Sequence, residues 1–193
     1  MDNSFYHIHK KKYDDIIWNV GNIIEFGKED NFFWKECINF KSMISIDNVK
    51  YPFGNVYNYY TDNNMFKKQI ELLGIANEYM IEYQLLLREI GLEKIRNELF
   101  INLPSRQKCI WLCKESQFPF WIKSIKGNYD IYKVRIHGNA FKSKNSLLPL
   151  PADSFNEILE KSKLYWSYDS DDENEDDEYL YVGKVELCEK IEF

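Results

Sequence analysis

Glu178 ends a run, 169–178, that holds eight acidic residues and no basic one. It is followed at once by Tyr179-Leu180-Tyr181-Val182-Gly183-Lys184-Val185-Glu186-Leu187, whose alternation after Gly183 reads as a strand. A carboxylate at the mouth of a strand is held by a rigid element, as functional carboxylates tend to be. The alternative is the last charge of a solvated loop. His7 and His9 stand two apart in Tyr6-His7-Ile8-His9 and would project to one face of a first strand. His7 could then grip a ligand or hydrogen-bond the backbone. Pro104-Ser105-Arg106 sets a hydroxyl and a guanidinium before an apolar run. Such groups can hold a phosphate or orient a catalytic side chain; a proline turn with an exposed arginine is the other reading. Trp111, Trp121 and Trp166 offer flat faces for a ring, or simply core. His137, before Gly138 in a turn, reads as incidental.

Several chemistries have no footing here. No Gly-x-Gly-x-x-Gly or Walker pattern is present, and no Gly-x-Ser-x-Gly, which argues against Rossmann, P-loop and serine-triad modes. Of four cysteines, Cys109 and Cys113 lie in an apolar run without a nearby histidine, so buried thiols are expected, with no metal and no structural disulfide. No apolar run is long enough to span a bilayer, and Lys10-Lys11-Lys12 leads into Tyr13-Asp14-Asp15 instead of an apolar signal core. The expectation is therefore a cytoplasmic protein without a membrane partner. The net charge of −6 is local: eight of 31 acidic residues lie in 169–178, leaving 23 against 25 bases. A body so nearly neutral neither requires nor excludes a nucleic-acid partner.

The elements that must position these residues can be read in order. Residues 5–9 read as a strand and 16–24 as a turn and second short strand; 28–62 reads as loop with short helical pieces. Leu72, Ile75, Tyr79, Tyr83, Leu86 and Ile90 mark an amphipathic helix, capped near 61–64 and ended by Gly91. A shorter helix over Leu92–Leu99 follows, then a strand over 108–113 and a helix over 115–124 that Pro119 interrupts or delays. Tyr129–Ile136 alternates as a strand, and 140–142 extends the sheet. Ser154 and Glu157 form a capping box opening a helix that buries Phe155, Ile158 and Leu159. The order is α+β, in one domain over 1–193. The acidic run should be mobile, gating access or docking a basic partner.

Together these motifs resemble the ADP-ribosyltransferase fold. Tyr6-His7-Ile8-His9 followed by Gly21-Asn22-Ile23-Ile24 is similar to the first strand and turn of its histidine-type branch, which includes the rifampin-modifying enzymes. The strand–helix–strand over 108–136 and the segment Asp176–Tyr181 resemble the elements that follow there, the latter carrying the catalytic glutamate. Arg88-Glu89, Glu93, Arg96, Pro104-Ser105-Arg106 and Tyr165-Trp166 also resemble an uncharacterised bacterial family of the same suspected fold. The resemblance implies a split β-sheet with a helical insert at about 63–99, and NAD as substrate. It implies Glu178 as the catalytic carboxylate, with Tyr6, His7, Ser105, Arg106 and Trp111 around the cofactor. The activity implied is mono-ADP-ribosyl transfer to an intracellular RNA, DNA or protein, as in a bacterial defence or toxin–antitoxin effector, with a cognate antitoxin or basic partner at the acidic loop. A non-catalytic binding module of this fold and an NAD glycohydrolase are the alternatives.

Overall fold

A computed structural model describes residues 4–11, 16–46, 48–62, 66–125 and 127–192. Strands β1 (Phe5–Lys10) and β2 (Ile23–Phe26) precede α1 (Phe32–Asn39), which Asn31 caps by accepting from the Trp34 N–H at 2.9 Å. A hairpin of β3 (Met43–Ile46) and β4 (Val49–Pro52) then leads into α2 (Phe53–Asp62) and the long α3 (Phe66–Leu99). After a turn come β5 (Ile110–Leu112), α4 (Phe118–Ser124), β6 (Tyr129–Ile136) and β7 (Phe141–Lys144). Helix α5 (Phe155–Trp166) and strands β8 (Asp177–Tyr181) and β9 (Gly183–Ile191) complete the α+β chain.

All strand pairs are antiparallel. One sheet has the order β1-β6-β9-β2 and the other β5-β8-β7, and a bridge between Tyr6 and Cys113 ties β1 to the end of β5. β8 and β9, expected as one strand, belong to different sheets. The chain bends between them at Val182-Gly183, where Gly183 adopts φ +137, a conformation open to glycine. Between the sheets lies a core of Ile110, Leu112, Tyr132, Val134, Tyr179, Tyr181, Val185 and Leu187. On the other face of β5-β8-β7, helices α3 and α5 pack Leu92, Ile95, Tyr165 and Trp166 against Cys109 and Leu180. β8 thus sends Tyr179 and Tyr181 inward and Glu178 and Leu180 towards the helices, as its period of two requires.

Three further expectations need correction. The stretch 28–62 holds the short helical pieces expected, α1 and α2, but the β3–β4 hairpin stands between them where loop was expected, because its apolar residues serve non-local packing that shows no local period. Residues 63–65, part of the expected cap, lie outside the described residues. Phe155 is 43 % exposed, and only Ile158 of the three apolar residues expected to be buried in α5 is fully so. The capping box itself is present, Ser154 Oγ accepting from the Glu157 N–H and Glu157 accepting from the Ser154 N–H.

The third concerns Gly91, which does not end a helix; α3 runs straight through it. A Cβ there would stand 2.4 Å from the Ile158 Cγ2 methyl, so the glycine exists to let α5 approach α3. Gly91→Ala should gain about 1 kcal/mol of helix propensity but force a stiff, buried, β-branched neighbour aside at about 1–3 kcal/mol. A net loss is expected, read as a lower urea midpoint. A gain would show that α5 yields freely.

Candidate functional site

The segment after α3 builds the site. Arg96, near the helix end, is held by Glu93 at 2.8 Å and donates to the Ile101 and Leu103 carbonyls at 3.1 and 3.0 Å, which ties the turn after α3 back to its last turn. Pro104 follows, and the Ser105 carbonyl accepts from the Lys108 and Cys109 N–H groups. Asn31 clips this turn to α1, its Nδ2 donating to the Arg106 carbonyl at 2.7 Å and the Cys109 carbonyl at 3.1 Å. Arg106 is thereby aimed under α3 and α5, towards the outward face of β8.

There it meets a buried network. Arg106 Nε donates to Glu89 Oε2 at 2.9 Å, and Nη1 donates to Glu178 Oε1 at 2.5 Å and to the Tyr165 hydroxyl at 2.6 Å. The Tyr165 hydroxyl in turn donates to Glu178 Oε1. Arg88 completes the set by donating to Glu89 Oε1 at 3.0 Å. Glu89, Arg106, Tyr165 and Glu178 are all buried, with two carboxylates facing two guanidinium groups. Burial alone would raise the Glu89 pKa, but Arg106 and Arg88 bring it below its ordinary value. Arg106 is held well above its own: burial opposes its charge, and Glu178 and Glu89 more than offset that. Burial also lifts Tyr165 well above the usual phenol, so it remains a hydroxyl donor.

Glu178 lines an open cavity of about 560 Å³ together with His7, Arg106, Trp111, Phe33 and Arg88. This lies within the range of small-molecule sites, about 300–1,000 Å³. Only Oε1 of Glu178 is bonded; among the described residues Oε2 has no donor. Phe33 meets Trp111 edge to face at 5.7 Å, and the Arg106 guanidinium lies 5.6 Å from the Trp111 ring centre. Cys37 and Cys113 also line the cavity, but burial pushes their thiols up to about 11 and about 12, which removes them as nucleophiles near neutral pH.

His7 has a defined tautomer. Its Nδ1 lies 2.8 Å from the Trp111 carbonyl, which can only accept, so Nδ1 carries the proton and Nε2 keeps a lone pair. Trp18 stacks on both His7 and His9, which sit on one face as expected. Burial lowers the His7 pKa from 6.5 to about 4; the Trp111 hydrogen bond opposes this and His9 adds to it. The unfolded chain therefore binds more protons between about pH 6.5 and 4. The neutral ring's contribution is whole above pH 6.5 and is lost as pH falls towards 4, about 3 kcal/mol. His7→Phe, which cannot take up that proton, should lack this part of the stability slope in urea titrations. An unchanged slope would show that His7 is not the group responsible.

The structure brings together His7, Arg106, Trp111 and Glu178 but not Tyr6 or Ser105. Tyr6 points to the opposite face of β1, edge-on to Phe118 at 5.0 Å with its hydroxyl 3.3 Å from Glu115, because strand neighbours alternate. Ser105 Oγ accepts from the Gln107 N–H at 3.2 Å and shapes the turn. Arg106 donates to Glu89, Glu178 and Tyr165, the arrangement expected of a residue that steadies the glutamate. Glu178 itself is the second residue of β8, which begins at Asp177, and at 4 % exposed it is not the last charge of a solvated loop.

The acidic run is likewise less free than its charge suggests. Gln117 donates to the Asn174 carbonyl, Trp121 to that of Asp177 and Lys142 to that of Asp172, while Asp176 accepts from the Asn145 and Ser146 N–H groups. Asp177 is fully buried, whereas Asp169, Asp171, Asp172, Glu173 and Glu175 face solvent. Residues 172–177 are thus stitched to the body, in place of the wholly free run expected. Asn31 was missed, and Glu89 and Tyr165, quoted only for a family resemblance, were given no role in the site. Glu89 left one signal, a carboxylate three positions from both Leu86 and Leu92 on the apolar stripe of α3.

Among the described residues no group of three His, Cys, Asp or Glu could hold a metal, and no helix is long and apolar enough to cross a membrane. Residues 5–193 match the family described as "Protein of unknown function (DUF2441)", and the chain belongs to it. No curated protein matches the chain.

Proposed function

We propose that this DUF2441 protein is an NAD-dependent ADP-ribosyltransferase acting on an intracellular macromolecule, with Glu178 as its catalytic carboxylate. One observation carries the reading: a strand-borne glutamate has one oxygen locked by Arg106 and Tyr165 and the other without a donor among the described residues, in a cavity shared with a neutral histidine and an aromatic wall. Cleavage of the bond from ribose C1′ to the nicotinamide nitrogen leaves an oxocarbenium-like centre, and the bonding pair departs with neutral nicotinamide. A fixed carboxylate beside the ribose stabilises that charge and accepts the proton of the incoming hydroxyl or amine as the new C1′ bond forms. The His7 Nε2 lone pair suits a ribose hydroxyl, and Trp111 with Phe33 suits a flat ring.

A second reading has its own observation. Glu178 and Arg106 are so buried and so completely paired that the network could serve folding alone, in a module that binds a ligand without turnover. Incubation with labelled NAD, with and without cell lysate, protein-free nucleic acid and nuclease, separates the readings. Label in a macromolecule is the expected result. Free ADP-ribose without labelled acceptor would identify a glycohydrolase, and intact NAD throughout would favour the binding module.

A further inference from the structure

Helix α3 is 34 residues long, about 51 Å at 1.5 Å per residue, and the body of the chain uses only one side of it. Leu72, Ile75, Tyr79, Leu86 and Glu89 turn towards the chain. On the opposite side Ile70, Leu73, Met80 and Leu87 are 56, 58, 52 and 46 % exposed. With Asn77 and Gln84 they form a row, 70, 73, 77, 80, 84, 87, whose steps alternate between three and four residues. That is the seam of a two-stranded coiled coil. We propose that this seam joins α3 to the α3 of a second copy of the chain, as a parallel pair.

Three observations favour a copy over another partner. A parallel pair sets Asn77 against Asn77 and Gln84 against Gln84, and a carboxamide both donates and accepts, so each satisfies its own copy. An antiparallel pair would set Leu73 against Gln84 and Asn77 against Met80, burying each amide on hydrocarbon. The flanking positions are Gly74, Ile81 and Arg88 on one side and Ala76, Tyr83 and Ile90 on the other. The single charge among them, Arg88, is already paired with Glu89, so identical helices meet little like-charge repulsion. Ile81, Tyr83 and Ile90 are themselves 39, 45 and 41 % exposed, so the apolar strip extends along the flanks of the seam. Gly74 agrees: among the described residues nothing approaches its missing Cβ, unlike that of Gly91, and a second helix beside the seam would.

None of the six seam residues lines the cavity, and Arg88, which flanks the seam, is the residue shared between the two. Sedimentation velocity on the full chain at micromolar concentration should give the mass of two copies. Leu73→Lys with Met80→Lys, both at exposed positions, should give a monomer with an unchanged circular dichroism spectrum. In a Cys188→Ser background, Leu73→Cys should form a disulfide with its own copy on mild oxidation, and mixing it with Gln84→Cys chains should give no mixed pair. A monomer at every concentration, a dimer that survives the double substitution, or a mixed 73–84 disulfide would each overturn the proposal.

Discussion

Glu178→Gln should lower ADP-ribose transfer by about 10²–10³-fold, the effect of losing one preorganised electrostatic group at a developing charge. The substitution keeps shape and an acceptor oxygen, so Tyr165 and Arg106 retain a partner at Oε1. It removes the charge facing the ribosyl centre. NAD binding should change little, because the stabilisation is made in the transition state and appears in kcat more than in KM. Folding should weaken modestly, since Glu89 still offsets Arg106. Initial rates with labelled NAD, normalised to folded protein, give the comparison. Turnover near that of the parent chain would end the assignment of Glu178, and with it the proposed mechanism.

Arg106→Met is expected to be the most destabilising single substitution in the site. It would leave the Glu89 and Glu178 carboxylates buried with only Arg88 near them, and removing one partner of a buried ion pair costs about 3–5 kcal/mol. Against a total of about 5–15 kcal/mol for a typical domain, that is a large share. The pH dependence identifies the cause. In the parent chain the Glu89 pKa is lowered in the fold, so its contribution is present above the unfolded value of 4.5 and is lost as pH falls. Without Arg106, burial, which already opposes the charge on Glu89, would prevail, and protonating Glu89 on acidification would relieve the penalty. The stability gap between parent and variant should therefore narrow as pH falls from about 7.5 to 5. A gap that is small, or constant with pH, would show that the network contributes little to the fold.

Local signals were legible where local physics builds the element. The capping box of Ser154 and Glu157 is a hydrogen-bond exchange within one turn, and Tyr129–Ile136 alternates along one strand. Pro119 falls in the first turn of α4, where its missing N–H has no partner to lose. At Gly91 the same kind of signal misled. A glycine that ends one helix and a glycine that admits another helix look alike until Ile158 is in place.

The sequence by itself determined the α+β class, the capping box of Ser154 and Glu157, and the presence of a glutamate at the start of a strand, since each depends on residues a few positions apart. It also pointed to His7, Arg106, Trp111 and Glu178, but with no means of bringing them together. Only the tertiary structure decided that Tyr6 and Ser105 fall elsewhere, and that Glu178 faces the helices. Only it showed that Arg106 links Glu89, 17 residues back, to Glu178, 72 residues on. Those pairings arise when α3 and α5 dock on one face of β5-β8-β7. Burial there makes an unpaired charge costly and a matched set of charges stable, and a one-dimensional pattern carries no record of which distant charges will be buried side by side.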